Sequence, residues 1–192
     1  MSFTDYFIGQ KNTEIESLAR KLCFEKVIFI KEIKEASDFN SIENYEYVLI
    51  NVNETGKMRQ FIDKAIARKK IIIIQGKDDS FNRAALETKR IFMLLSPEAT
   101  AGRDFMSYRN SGMNQVLCKI AEKNNVTIGI SFSELLEINN SINLAERIGR
   151  IMQNIAICRK YKTKMHLSNF SKKEEQMRSA LDLRSFGTVL GM

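Results

Sequence analysis

The sequence predicts an α/β protein built on a parallel sheet covered by helices, and three observations lead there. Short apolar, β-branched runs recur along the chain and are separated by stretches whose apolar residues repeat at i, i+3, i+4 and i+7. No two of the runs are joined as a hairpin, so each strand is followed by a crossover. The purest run, Lys70 to Gly76, is four isoleucines between charge and glycine, the composition of a strand buried on both faces in the middle of a sheet. A doubly wound sheet and an eight-stranded barrel both fit this alternation. A barrel usually takes about 250 residues, with compact ones near 200, so periodicity leaves the two open.

Taken in order, Tyr6 to Ile8 reads as the first strand, Ile15, Leu18, Ala19 and Leu22 as a helix, and Lys26 to Ile30 as the second strand. Residues 31–44 are polar and mixed, a short helix or loop, before a third strand over Tyr45 to Val52. Met58, Phe61, Ile62, Ala65 and Ile66 form a helical stripe opposite Lys57, Arg59 and Lys64. After the isoleucine strand, a helix around Asn82 to Thr88 leads to a fifth strand over Ile91 to Leu95, closed by the lone Pro97, which cannot donate to a ladder. A long loop, Ser96 to Asn110, carries Arg103, Asp104 and Arg109; long loops after strands are often functional. Met113, Val116, Leu117, Ile120 and Ala121 then give a helix stopped by Asn124 and Asn125, followed by a buried strand over Val126 to Phe132. Ser141 or Asn143 is placed to cap a helix reaching about Tyr161, with Leu144, Ile148, Ile151, Met152 and Ile155 on one side and Arg147, Arg150, Asn154 and Tyr161 on another. Lys164 to Phe170 is the seventh strand, and Ser179-Ala-Leu-Asp182 opens a final helix as a capping box with aspartate for the usual glutamate. No linker or low-complexity stretch interrupts the chain, so residues 1–192 are expected to form one domain.

With 44% hydrophobic residues the chain can bury a sizeable core, and no apolar run approaches the roughly 18 residues of a membrane span. The start, MSFTDYFIGQ, lacks the basic head and long apolar stretch of a signal peptide, so the cytoplasm is the expected location. Cys23, Cys118 and Cys158 are far apart and without a C-x-x-C partner, which fits buried free thiols. Net charge is +7, and its distribution is uneven. Residues 1–140 hold 20 Lys+Arg against 19 Asp+Glu, whereas residues 141–192 hold 10 against 4. That cationic last quarter permits binding to a polyanion.

Several chemistries are excluded. Neither Gly-x-Gly-x-x-Gly nor a P-loop is present, and no Gly-x-Ser-x-Gly elbow occurs. A polyhistidine metal centre is impossible with His166 as the sole histidine, and the cysteine spacing offers no zinc site. The strand-end carboxylates Asp5, Glu54, Asp78, Asp79 and Glu98 are candidates to meet at one rim around Mg²⁺, although solvated loop charges are the commoner explanation. What remains is cationic: Arg103 and Arg109, Arg147 and Arg150, then Arg159, Lys160, Lys162 and Lys164, and finally Lys172, Lys173, Arg178 and Arg184. At such density these residues can neutralise phosphates, and arginine adds bidentate geometry.

The segment Ser111-Gly-Met-Asn-Gln-Val-Leu117, through Ile120-Ala121 and Asn124-Asn-Val126 to Ile130-Ser131, resembles the centre of RNase P protein component 3, a subunit family of archaeal and eukaryotic ribonuclease P. Arg147-Ile-Gly-Arg150 with Cys158-Arg-Lys-Tyr-Lys162, His166-Leu-Ser-Asn169, Arg178-Ser-x-x-Asp-Leu183 and Leu190-Gly-Met192 resemble further family motifs in the same order. The likeness is clear from about Leu94 onward. Gln115 stands where many members have histidine, and Ala180 where proline is usual; the end at Gly191-Met192 leaves the barrel's closing unit short. The resemblance implies a compact TIM-type barrel related to polymerase-and-histidinol-phosphatase phosphoesterases but without their metal-binding histidines. It further implies a non-catalytic protein that assists the catalytic RNA in removing the 5′ leader of precursor tRNA. Its implied partners are RNase P RNA and protein component 2, as a heterodimer or heterotetramer, with precursor tRNA reached through the holoenzyme. Mg²⁺ would be used by the RNA, with no cofactor held by the protein. Carried over by position, Arg103, Arg109, Arg147, Arg150, Lys162, Arg178 and Asp182 are the residues expected to bind RNA or pair structurally, with Asp182 holding Arg178. The rival reading is a metal-dependent phosphoesterase on the same barrel, with Asp5, Glu54, Glu98 and His166 as ligands.

Overall fold

A computed structural model of the chain describes residues 3–99, 102–104 and 106–192. Seven parallel strands alternate with helices: β1 (Thr4–Ile8), α1 (Thr13–Lys21), β2 (Lys26–Ile33), β3 (Tyr47–Ile50), α2 (Thr55–Ala67), β4 (Ile71–Gln75), α3 (Asp79–Glu87), β5 (Met93–Leu95), α4 (Gln115–Lys123), β6 (Thr127–Ser131), α5 (Phe132–Leu136), α6 (Ser141–Lys160), β7 (Met165–Ser168) and α7 (Ala180–Val189). Between β2 and β3 the chain makes a 3-10 turn, Ala36–Ser41, in place of a full helix.

The strands pair in sequence order, β1 to β7, and the sheet curls until its two edges meet. Phe7 forms a parallel bridge with Ser171, the Ile8 N–H donates to the Ser171 carbonyl at 2.8 Å, and the Tyr6 N–H donates to Ser168 Oγ at 3.1 Å. This is a TIM-type barrel of seven strands, joined at the β1–β7 seam by isolated bonds where the other pairs have a ladder. The isoleucine strand β4 lies fourth of the seven. Its alternate residues face opposite ways. Ile73 fills the barrel interior with Tyr6, Ile30, Leu49, Met93, Leu95 and Phe170. Ile72 and Ile74 pack outward with Met58, Ile62, Leu86 and Leu117 beneath the helices. Each such buried side chain contributes about 1.5–3 kcal/mol relative to exposure.

Several strand ends shift by a few residues from the sequence reading, and three elements differ in kind, phase or cap. Phe132 does not end β6; it starts α5, because Ser131 Oγ accepts from the Glu134 N–H and turns the chain into a short helix. The expected stripe of α4 is rotated: Met113 lies before the helix, Val116 is exposed, and Leu117, Cys118 and Ala121 form the buried face. Asn114 sets this phase by accepting from the N–H groups of Val116 and Leu117. Neither Ser141 nor Asn143 caps α6. Asn140 does, accepting from Ile142 and Asn143.

Candidate nucleic-acid interface and the barrel mouth

Catalytic barrels place their reacting groups at the C-terminal ends of the strands. Here that mouth is filled by a network of alternating charge. Glu32, at the end of β2, accepts from Asn51 Nδ2 at 2.9 Å and lies 3.2 Å from Lys34 Nζ and 3.7 Å from Lys172 Nζ. Burial pulls its carboxyl up, but Asn51, Lys172 and Lys34 together hold it below the ordinary range. Lys77 donates to Asn51 Oδ1 at 2.9 Å, and Gln75 donates to Glu134 Oε1 at 3.3 Å. Above them the Arg147 guanidinium sits 3.6 Å from Glu134 and 4.0 Å from Glu98. Burial pushes the Glu98 carboxyl up to about 7, and burial also raises Glu134. Arg147 therefore occupies the cationic position among the mouth carboxylates.

The four candidate metal ligands do not converge. Asp5 is wholly buried in the β1–β7 seam, where it accepts from the Ser168 hydroxyl, from the Asn169 N–H at 2.9 Å and from Asn169 Nδ2 at 2.8 Å. Glu54 is an exposed residue preceding α2, and Glu98 faces α6. His166 stands edge-on to Tyr6 with ring centroids 5.3 Å apart, and burial lowers its pKa, which keeps the imidazole neutral. Among the described residues, no group of three or more His, Cys, Asp or Glu is arranged to hold a metal ion.

Residues 102–104 and 109–111, after β5, are clamped onto α6, and Arg109 and Arg150 are engaged there in structural pairing, one of the two roles expected of them. Arg150 is 6% exposed. Its Nε donates to Asp104 Oδ1 at 2.7 Å and its Nη2 to the Gly102 carbonyl at 2.7 Å. Arg109 Nη1 reaches the other Asp104 oxygen at 3.0 Å, and the Asn110 N–H donates to Oδ1 at 3.0 Å. One turn further, Gln153 exchanges hydrogen bonds with the Arg109 backbone and donates to Ser111 Oγ, while Asn154 donates to the Ser111 carbonyl. Gly149 makes room for the clamp: a Cβ there would lie 2.5 Å from the Arg109 guanidinium carbon. The i, i+3, i+7 spacing of Arg147, Arg150 and Asn154 was legible, but the side turns inward. Asp104 is the anchor: the sequence reading names it in the loop between Arg103 and Arg109 but assigns it no role.

Arg103 and Lys162 are exposed and have no ion pair among the described residues. Asp182 does not hold Arg178. Its carboxylate accepts from the Ser179 hydroxyl at 2.8 Å, completing the cap of α7, and Arg178 Nη1 instead donates to the carbonyls of Glu175 and Met177. Asn169 is the second residue missed. Besides serving Asp5, its side chain donates to the Arg178 carbonyl at 3.0 Å and accepts from the Arg178 N–H at 2.9 Å. The quoted Ser-Asn strand end was the signal for it.

Comparison with known proteins gives a consistent picture. A family model described as RNase P subunit p30 matches residues 10–192. Ribonuclease P protein component 3 of Methanosarcina mazei is 27% identical over 187 residues, covering 93% of this chain and 74% of that protein. The Methanosarcina acetivorans protein of the same name is 30% identical over 137 residues, covering 71% of this chain and 51% of its own length. Among solved structures, a chain in the cryo-EM structure of archaeal ribonuclease P with mature tRNA superposes with a TM-score of 0.75 at 22% identity, covering 98% of this chain and 82% of that one.

Proposed function

Since the chain belongs to the RNase P subunit p30 family, we propose that it serves as a protein subunit of ribonuclease P that assists the catalytic RNA in removing the 5′ leader from precursor tRNA. The family match across residues 10–192 carries this reading. The pairing of the mouth carboxylates Glu32, Glu98 and Glu134 with Lys34, Lys172 and Arg147 supports a non-catalytic role for the protein, since among the described residues no acidic cluster is arranged to hold a metal ion. The chain's partners are then RNase P RNA and protein component 2, with precursor tRNA engaged through the holoenzyme. A cationic protein surface relieves phosphate repulsion in the folded RNA and favours the Mg²⁺ that the RNA itself uses. No helix among the described residues is long and apolar enough to cross a membrane.

Reconstitution tests the proposal. RNase P RNA with protein component 2 is assayed for precursor-tRNA cleavage at low Mg²⁺, with and without this chain. Addition is expected to raise cleavage; an unchanged rate overturns the reading.

A further inference from the structure

The two turns that end α4 and α6 lie side by side at the foot of the barrel, because β6 and β7, which follow them, are neighbours in the sheet. Both turns pass through a left-handed residue, Asn125 at φ 56° and Lys162 at φ 56°. Lys164 Nζ ties them together, donating to Asn125 Oδ1 at 2.8 Å. Tyr161, the C-cap of α6, lies along α4. Its hydroxyl donates to Gln115 Oε1 at 3.0 Å, and two ammonium groups lie near its ring, Lys119 at 5.6 Å and Lys160 at 5.7 Å from the centroid. Lys119, Lys123, Lys160, Lys162 and Lys164 are all exposed. Glu122 is the single carboxylate within residues 115–125 and 157–164, and none of these lysines forms an ion pair among the described residues. The arginines of the loop clamp and the mouth are spent on carboxylates; these cations are not.

We infer that the α4–α6 rim around Tyr161 is the surface through which this chain meets the phosphodiester backbone of folded RNA, with Tyr161 positioning the Lys119 and Lys160 ammonium groups. The inference rests on the reading of the chain as a ribonuclease P subunit. Lysine ammonium groups are point charges without a planar fork, so the rim tracks phosphates and reads no base sequence. The outward face of α2 is also cationic, but Lys57, Lys64 and Arg68 there lie over the rings of the buried Phe39 and Phe61. Those side chains cover core, and Asp63 shares their helix. That face is the natural control.

The test measures binding of labelled RNase P RNA to the complex of this chain with protein component 2 across a KCl series. Lys119→Ala/Lys160→Ala/Lys162→Ala is compared with the equal charge removal Lys57→Ala/Arg59→Ala/Lys64→Ala. Each lost phosphate contact flattens the plot of log affinity against log salt by about 0.7–0.9. The rim triple is expected to flatten it by about 2–3 and to weaken binding at least about tenfold, with little change for the α2 triple. Tyr161→Phe should bind as the wild type does, and Tyr161→Ala more weakly. Thermal melting checks folding, and Lys119→Gln and Lys160→Gln measured singly replace the triple if it unfolds. Equal losses from the two triples, or none from the rim triple, overturn the assignment; if the wild type still raises cleavage, the subunit role stands. A wild-type chain that neither binds the RNA nor raises cleavage overturns both.

Discussion

Glu98 shows how much a single buried carboxyl can set the pH response. Its side chain is 2% exposed, and burial moves it from the ordinary 4.5 to about 7, with Arg147 only partly offsetting the rise. The native state therefore keeps a proton that the unfolded chain releases. Its contribution is full below about 4.5 and is lost as pH rises through 7, by an amount of about 3 kcal/mol. Glu98→Gln preserves the shape and removes the charge. It should raise the thermal midpoint by several degrees at pH 8 and change it little at pH 5; an equal change at both would show that the native carboxyl is already ionised at pH 5. The residue scale is also where sequence reasoning was weakest. Arg147, Arg150 and Asn154 were correctly placed on one helix side, but spacing cannot distinguish a side facing RNA from one facing a half-buried aspartate. Only the placement of residues 102–104 and 106–111 reveals Asp104 against Arg150.

At the scale of elements, one asparagine ties the β1–β7 seam to the entry of α7. Asn169 donates twice to Asp5, from its N–H and its side chain, and exchanges hydrogen bonds with the Arg178 backbone, so it joins β1, the end of β7 and the entry to α7. Removing its side chain leaves the fully buried Asp5 with the Ser168 hydroxyl and the backbone N–H of residue 169, takes away the donor to its second oxygen, and frees the Arg178 backbone groups, while burial already raises the Asp5 pKa. Asn169→Ala should cost about 3 kcal/mol, as expected for unsatisfied buried groups, and urea unfolding measures it. A loss below about 0.5 kcal/mol would mean the seam is held elsewhere. The strands and most helices were legible because period-2 and period-3.6 patterns reflect which side is buried. Boundaries slipped where a side-chain cap outweighed the pattern, as at Ser131, Asn114 and Asn140. The seam itself leaves no local pattern, because Asp5 and Asn169 meet only after closure.

For the molecule as a whole, the barrel retains the architecture of catalytic barrels while its mouth is neutralised internally. Periodicity left barrel and open sheet undecided, and the family motifs in the last half of the sequence pointed to the barrel. Adding Mn²⁺ or Zn²⁺ at roughly millimolar concentration should leave the thermal midpoint unmoved, whereas a metal at 100 times its Kd would add about 2.7 kcal/mol. A rise of several degrees together with turnover of a phosphate ester would restore the phosphoesterase reading. The seam also governs how the chain acquires its shape. Asp5 and Ser168 are 163 residues apart, and contacts of such separation carry a loop-closure cost before they give anything back. Until Met165 to Ser171 are in place, the other six strands form an open sheet with two unpaired margins, and such margins invite pairing with other chains. On loop-closure grounds the seam is expected to form after the neighbouring strands have paired, and a substitution that weakens it is expected to slow refolding and increase aggregation during refolding, which stopped-flow fluorescence and light scattering measure.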